Sequence, residues 1–195
     1  MYRNVDELTG DITWNIKCLA PGRPKQYRFN GQTGRFNLNG TKDMGTSLSI
    51  QPITWRIFED NLFGRERFEQ WAELFFVDET GALSTIMFNN NSVNELFNLI
   101  EPLFYDDLTL ADVVLTVTSE KHTNEKVTPK GTWYLAKFEY APADPAVVAE
   151  LKEYAKYHPV YRADTLSPSA VHTLIAENFA FGLNLPKPAE LQQAA

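Results

Sequence analysis

The chain has 195 residues, 44 % of them hydrophobic and 22 % charged, with a net charge of −7. This balance fits a soluble globular protein of one domain with an appendage, or two small domains, with enough chain to bury a substantial core. Cys18 is the single cysteine, which excludes a disulfide within the chain and favours a reducing, cytoplasmic setting. No apolar run approaches the ~18 residues of a membrane helix, and "MYRNVDELTGD" lacks the apolar stretch of a secretory signal.

The charge is unevenly placed. Residues 12–42 carry six basic side chains (Lys17, Arg23, Lys25, Arg28, Arg35 and Lys42) and no acid. A local basic segment attracts a polyanion whatever the net charge. Within it, "ITWNIKCLA" alternates Ile12, Trp14, Ile16 and Cys18, and "QYRFN" and "RFNLN" flank "GQTG" as a hairpin. On such strands Tyr27 shares a face with Phe29, and Arg28 lies on the other. If one face packs, the other presents either cations or rings, not both. "NGTKDMG" is a joint, and a boundary is placed near residue 43.

Next, "SLSIQPITWRIF" reads as a long strand whose phase flips at Pro52, where a bulge or edge position and a bend are expected. On it, Trp55 is expected in the core with Ile53 and Ile57, leaving Arg56 opposite as a contact residue. "EQWAELFFV", "DETG" and "ALSTIMF" form a strand, turn and strand, with Trp71 on the Glu73/Phe75 face. "NNNSVNELFNLI" is the clearest helix: Ser92 and Glu95 form a capping box, Val93, Leu96, Phe97 and Ile100 make one stripe, and the end is expected near Pro102. Strands over 111–118 and 132–140 follow. Helices are expected over 143–158, starting at Asp144-Pro145, and over 167–182, starting at Ser167-Pro168.

The central order is strand, strand, strand, helix, strand, strand, which is that of an OB fold. The expected class is mainly β with added helices (α+β): an OB-like five-stranded Greek-key barrel over 44–140, a basic β segment over 1–43, C-terminal helices over 141–183 and a loose tail over 184–195. On "ITWRIF", "WAELFFVDETGALSTIMF", "NSVNELFNLI" and "TSEKHTNEKVTPKGTWYLAKFEY", residues 44–140 resemble the OB-fold single-stranded-DNA-binding proteins, in particular divergent ones of phage and mobile elements.

OB folds bind oligonucleotides across strands two and three and at the first-second and fourth-fifth loops. Here those loops carry Arg65 and Arg67, and Lys121, Lys126 and Lys130 beside Trp133. Single-strand binding needs cations along phosphates and rings under bases. The candidate contact set is therefore Arg23, Lys25, Tyr27, Arg28, Arg35, Phe36, Lys42, Arg56, Arg65, Arg67, Trp71, Lys121, Lys126, Lys130 and Trp133. The expected partner is single-stranded DNA, with RNA open as an alternative and a second copy or a replication or recombination protein as further partners. His122, His158 and His172 are scattered, and no nucleotide-loop, zinc or nucleophile motif occurs, so no catalysis, metal or cofactor is expected. The other reading open at this stage is a non-enzymatic interaction or phage assembly component acting through its acidic surface and C-terminal helices.

Overall fold

The computed structural model describes residues 2–126 and 131–181. In chain order its elements are β1 (Arg3–Val5), β2 (Ile12–Trp14), β3 (Lys25–Asn30), β4 (Arg35–Leu38), β5 (Lys42–Gly45), β6 (Ser47–Ile50), β7 (Pro52–Asp60), β8 (Glu69–Val77), β9 (Leu83–Asn89), α1 (Asn91–Tyr105), β10 (Val113–Asn124), β11 (Gly131–Pro142), α2 (Pro145–Tyr157) and β12 (Val171–Ile175). A seven-stranded sheet runs β12-β7-β8-β9-β3-β4-β5, a three-stranded sheet runs β11-β10-β6, and β1 pairs with β2. The class is mainly β, of α+β type, and the sheets do not close into a barrel. Among the described residues, no helix is long and apolar enough to cross a membrane.

The two larger sheets are joined at Pro52. Before it, β6 pairs with β10; after it, β7 pairs with β8, with a register shift between Pro52 and Thr54. Proline has no N–H to give to a ladder, so the chain changes sheet where its donor is missing. The bulge also explains a departure from the expected face. Trp55 and Ile57 enter the main core with Leu48 and Ile50, whereas Ile53 enters a second cluster on the other side.

That main core lies between the sheets. Ala72, Leu74 and Phe76 of β8, Ile86 and Phe88 of β9, and Leu115 and Val117 of β10 meet Val93, Leu96, Leu99 and Leu103 of α1 there. We call this side of the large sheet its inner face. On the outer face, Phe75 packs with Leu151 and Tyr154 of α2 and with Val160 and Phe179 of the C-terminal segment. β8 is thus covered on both sides, which is why Trp71 to Phe76 are all buried without alternation.

Local signals held at α2 and shifted at α1. Asp144 caps α2, its carboxylate accepting from the Ala146 N–H at 2.8 Å, with Pro145 in the first turn. The expected capping box on α1 is not formed. Asn90 takes the cap position at φ 50°, and Ser92 sits inside the helix, its Oγ accepting from the Ala136 N–H of β11 at 3.1 Å. Pro102 lies within the last turn of the helix, which ends close by, at Tyr105.

The expected helix at 167–182 is corrected. Residues 171–175 form β12, which pairs antiparallel with the edge of β7, with a register shift between His172 and Leu174. Val171, Thr173 and Ile175 are β-branched, and an unpaired β7 edge offers a complete ladder that outweighs a Ser-Pro start signal. Ser167 instead bonds Ser169 in a turn, Oγ to Oγ at 2.7 Å.

The basic hairpin is part of the large sheet. Tyr27 pairs with Leu38 and Phe29 with Phe36 across β3 and β4, and β3 runs parallel to β9 from Lys25 opposite Ser84 to Arg28 opposite Met87. Its turn requires glycine. Gly34 has φ 69°, and a Cβ there would lie 2.4 Å from the Tyr134 ring.

Candidate nucleic-acid interface

Alternation on β3 and β4 separates the rings from Arg28 and Arg35, while Lys25 at the start of β3 shares the parity of Tyr27. Tyr27, Phe29 and Phe36 point to the inner face and join the main core, with Phe36 fully buried. Arg28 and Arg35 fall on the outer face. Tyr27 and Phe36 are therefore corrected from base-stacking candidates to core residues. Trp71 is corrected likewise: it is buried on the outer face, its Nε1 donating to the Asp60 carbonyl at 3.1 Å, with Phe63 edge-on at 5.8 Å.

Arg56 is also corrected. Its side chain is wholly buried. Nε and Nη2 donate to Glu73 Oε2 at 2.9 and 2.8 Å, and Nη2 also reaches the Thr165 carbonyl at 2.8 Å. Thr165 Oγ1 lies 2.9 Å from Glu73 Oε1, and the guanidinium lies 4.0 Å from the Phe58 ring centre. Burial raises the Glu73 carboxyl above its ordinary value, while the Arg56 charge and its hydrogen bonds oppose that rise. This network ties the C-terminal segment to the large sheet and is closed to a ligand.

Several other candidates are already neutralised. Lys25 pairs with Asp78, which also accepts from the Tyr27 hydroxyl at 3.1 Å. Arg35 pairs with Asp43, and Arg65 pairs with Glu69 while its guanidinium lies 4.9 Å from the Trp71 ring centre. Lys42 and Arg67 are exposed and form no ion pair among the described residues.

The lysine loop is shorter than expected, because β10 and β11 continue as a ribbon to Asn124 and from Gly131. Lys121 is therefore on a strand, opposite Tyr134, while Trp133 opposes His122 and stacks on it at 5.7 Å. Trp133 keeps 37 % of its surface exposed. Lys126 follows the ribbon in an exposed turn, and Lys130 lies outside the described residues. The ribbon belongs to the three-stranded sheet, across the core from the outer face of the large one.

The structure gathers a different cationic set on the outer face. A hollow of about 480 Å³ is lined by Lys17, Arg23, Lys25, Gln26, Asn39 and Asp164, among others. Lys17 Nζ donates to the Thr80 carbonyl at 2.9 Å, and Arg23 makes no ion pair among the described residues. Gln26 leads on to Arg28, whose Nη2 donates to its Oε1 at 3.4 Å. Beyond Arg28, Met87 of β9 lies against Arg162, with 3.6 Å from Nη1 to sulfur. The Arg162 guanidinium is 5.5 Å from the Phe63 ring centre, and Phe63 is 58 % exposed.

Lys17, Arg23, Arg28, Arg162 and Phe63 thus form a connected track ending at Arg65 and Trp71. Asp164, 3.7 Å from Arg162, and Glu69, paired with Arg65, are carboxylates on it. Burial lowers Arg162 below the ordinary guanidinium value; Glu73 and Asp164 oppose this and Arg28 adds to it. Sequence reading missed Arg162 because no local pattern marks it. The fold delivers it: the Ala163 N–H donates to the Gly22 carbonyl at 2.9 Å, docking the C-terminal segment beside the basic one. Lys17 was within reach, since it belongs to the acid-free stretch.

No protein-family model, curated protein or solved structure matches the chain.

Proposed function

We propose that the protein binds single-stranded nucleic acid, DNA first, with little sequence preference, along the outer-face track from Lys17 to Phe63. The observation that carries the reading is the set of cations that form no ion pair among the described residues (Lys17, Arg23 and Arg28), with Asp164 in the same hollow, continuing into Arg162 and an exposed ring. Cations that follow phosphates and a ring that accepts a base are the two requirements of sequence-tolerant single-strand binding. The reading includes an opened OB-like core. In its favour, β6/β7, β8, β9, α1, β10 and β11 keep the strand, strand, strand, helix, strand, strand order, and the bent first strand pairs with both β8 and β10.

One observation favours the interaction-protein reading. Phe104 and Tyr105 at the end of α1 are adjacent and largely exposed. Paired aromatic rings on a surface are typical anchors for a protein partner.

Fluorescence anisotropy with labelled oligonucleotides separates the two. Binding of unrelated single-stranded sequences is expected at about 50 mM salt, weakening steeply by about 200 mM. Arg23→Glu with Arg28→Glu lowers affinity for every sequence alike and flattens the salt slope by about 0.7 for each phosphate that is no longer neutralised. Absence of binding at low salt, or unchanged affinity in the double variant, overturns the reading.

A further inference from the structure

We infer that Arg162 and Arg28 together form a binding site for one phosphate group, over Met87 on the outer face of the large sheet. The inference rests on the nucleic-acid reading only for where that phosphate comes from.

Arg162 is 8 % exposed, and yet its donors are barely used. Its Nε is buried with no acceptor among the described residues. Among the described residues its Nη1 meets only the Met87 thioether, a weak acceptor, and its Nη2 stands 3.7 Å from Asp164, beyond hydrogen-bond reach. The carboxylate of Asp164 is itself largely exposed. Burying an ionised group is costly unless it is paired and hydrogen-bonded, and a guanidinium presents a planar fork of five donors suited to oxyanions. The neighbouring core arginine is a direct contrast: Arg56 is wholly enclosed, and Glu73 and Thr165 use its donors. Arg162 is buried nearly as far, without such acceptors among the described residues.

The second cation completes the site. Arg28 is opposite Met87 in the β3–β9 register, and the Arg162 guanidinium lies against the same Met87 side chain. Arg28 is exposed and bonds only Gln26 Oε1 among the described residues. Two guanidinium groups flanking one apolar side chain repel each other when empty. A dianionic or monoanionic phosphate between them removes that repulsion and supplies the oxygens that Arg162 lacks. A phosphate bound through bidentate guanidinium contacts is the strong form of such a bond. Other groups facing Arg162 are Glu73, Asp164 and the Phe63 ring. Glu73 is already engaged by Arg56 and Thr165, so it does not complete the Arg162 shell.

The test uses the full chain and two probes: pyrophosphate, and a single-stranded oligonucleotide with and without a 5′-phosphate. Isothermal titration and thermal melting are read for wild type, Arg28→Gln and Arg162→Met. Pyrophosphate is expected to raise the melting temperature of wild type, and each variant is expected to lose that rise and to weaken pyrophosphate binding at least tenfold. Arg28→Gln is at the surface and keeps the test valid if Arg162→Met does not fold. A 5′-phosphate that tightens oligonucleotide binding only when both arginines are present assigns the site to a strand end. Equal, arginine-dependent binding of both oligonucleotides assigns it to a backbone phosphate. Pyrophosphate binding that needs both arginines, with no oligonucleotide binding, keeps the phosphate site and removes the nucleic-acid reading. Oligonucleotide binding with no arginine-dependent pyrophosphate effect overturns the site and leaves that reading standing.

Discussion

The buried Arg56–Glu73 pair makes a demanding test of how the C-terminal segment is held. Both side chains are fully enclosed, and one carboxylate oxygen receives two guanidinium donors at 2.8 and 2.9 Å. Glu73→Leu leaves Arg56 charged in the interior with the Thr165 oxygens and the His172 ring, 3.3 Å from Nη1, as its polar partners among the described residues. Removing one partner of a buried pair costs about 3–5 kcal/mol. In a chain of this length that is a fall of roughly 6–20 °C in melting temperature. Arg56→Met with Glu73→Leu removes both desolvated charges and keeps the volume apolar. Such replacements are often neutral or stabilising by about 1–4 kcal/mol, so the double variant should recover most of the loss. Thr165 keeps an acceptor in the Arg162 carbonyl at 3.1 Å, so its hydroxyl is not stranded. Urea denaturation of wild type, both single variants and the double variant closes the cycle. If Glu73→Leu costs under about 1 kcal/mol, or the double variant is no better than the single, the pair is not the buried, unhydrated link described above.

Three further outcomes follow from other parts of the fold. Gly34→Ala places a methyl group against the Tyr134 ring at a positive φ, and should destabilise by about 2–4 kcal/mol in urea melts; a neutral result would mean the hairpin and ribbon do not touch there. Burial raises the Asp78 carboxyl, but hydrogen bonds from Lys25, Thr80 and Ala82 outweigh it and hold the carboxyl well below the usual carboxylate range. Its stabilisation is therefore present above the unfolded value of about 3.9 and lost as pH falls through the folded one; Asp78→Asn should flatten acid unfolding below about pH 4, and an unchanged acid limb counts against the assignment. Trp133→Ala should leave the melting temperature and oligonucleotide affinity close to wild type, because the ring is at the ribbon surface across the core from the track; a tenfold loss of affinity would bring the ribbon into the site.

Where a segment's fate is set by its own residues, sequence reading found it. β8 and β9 emerged from their apolar content and the turn between them, α2 from its Asp-Pro start, and the bulge at Pro52 from a missing donor. Reading failed where a distant partner decides. Ser92 has the composition of a cap, yet its hydroxyl serves a backbone N–H of β11. Residues 171–175 have a helical start signal before them, yet the open edge of β7 takes them as a strand. Arg56 looks like a surface cation on a half-buried strand. It is buried because Glu73 on the next strand and Thr165, over a hundred residues later, supply its acceptors.

The placement of the basic segment follows from the same competition between local pattern and long-range pairing. Its alternation puts Tyr27 and Phe29 on one side of β3 and Arg28 on the other, and that much is a property of any strand. Which side faces the core depends on where the hairpin docks. The β9 edge, which a closed barrel would consume, is free to pair with β3, and the rings then extend the main core from Phe76 and Phe88. Arg28 then has no choice but the outer face, beside the C-terminal segment that carries Arg162. A one-residue slip of β3 against β9 would exchange the two sets and bury Arg28 without a partner, at a cost that rings turned to solvent could not offset. The rings therefore fix the register, and the register aims the cations.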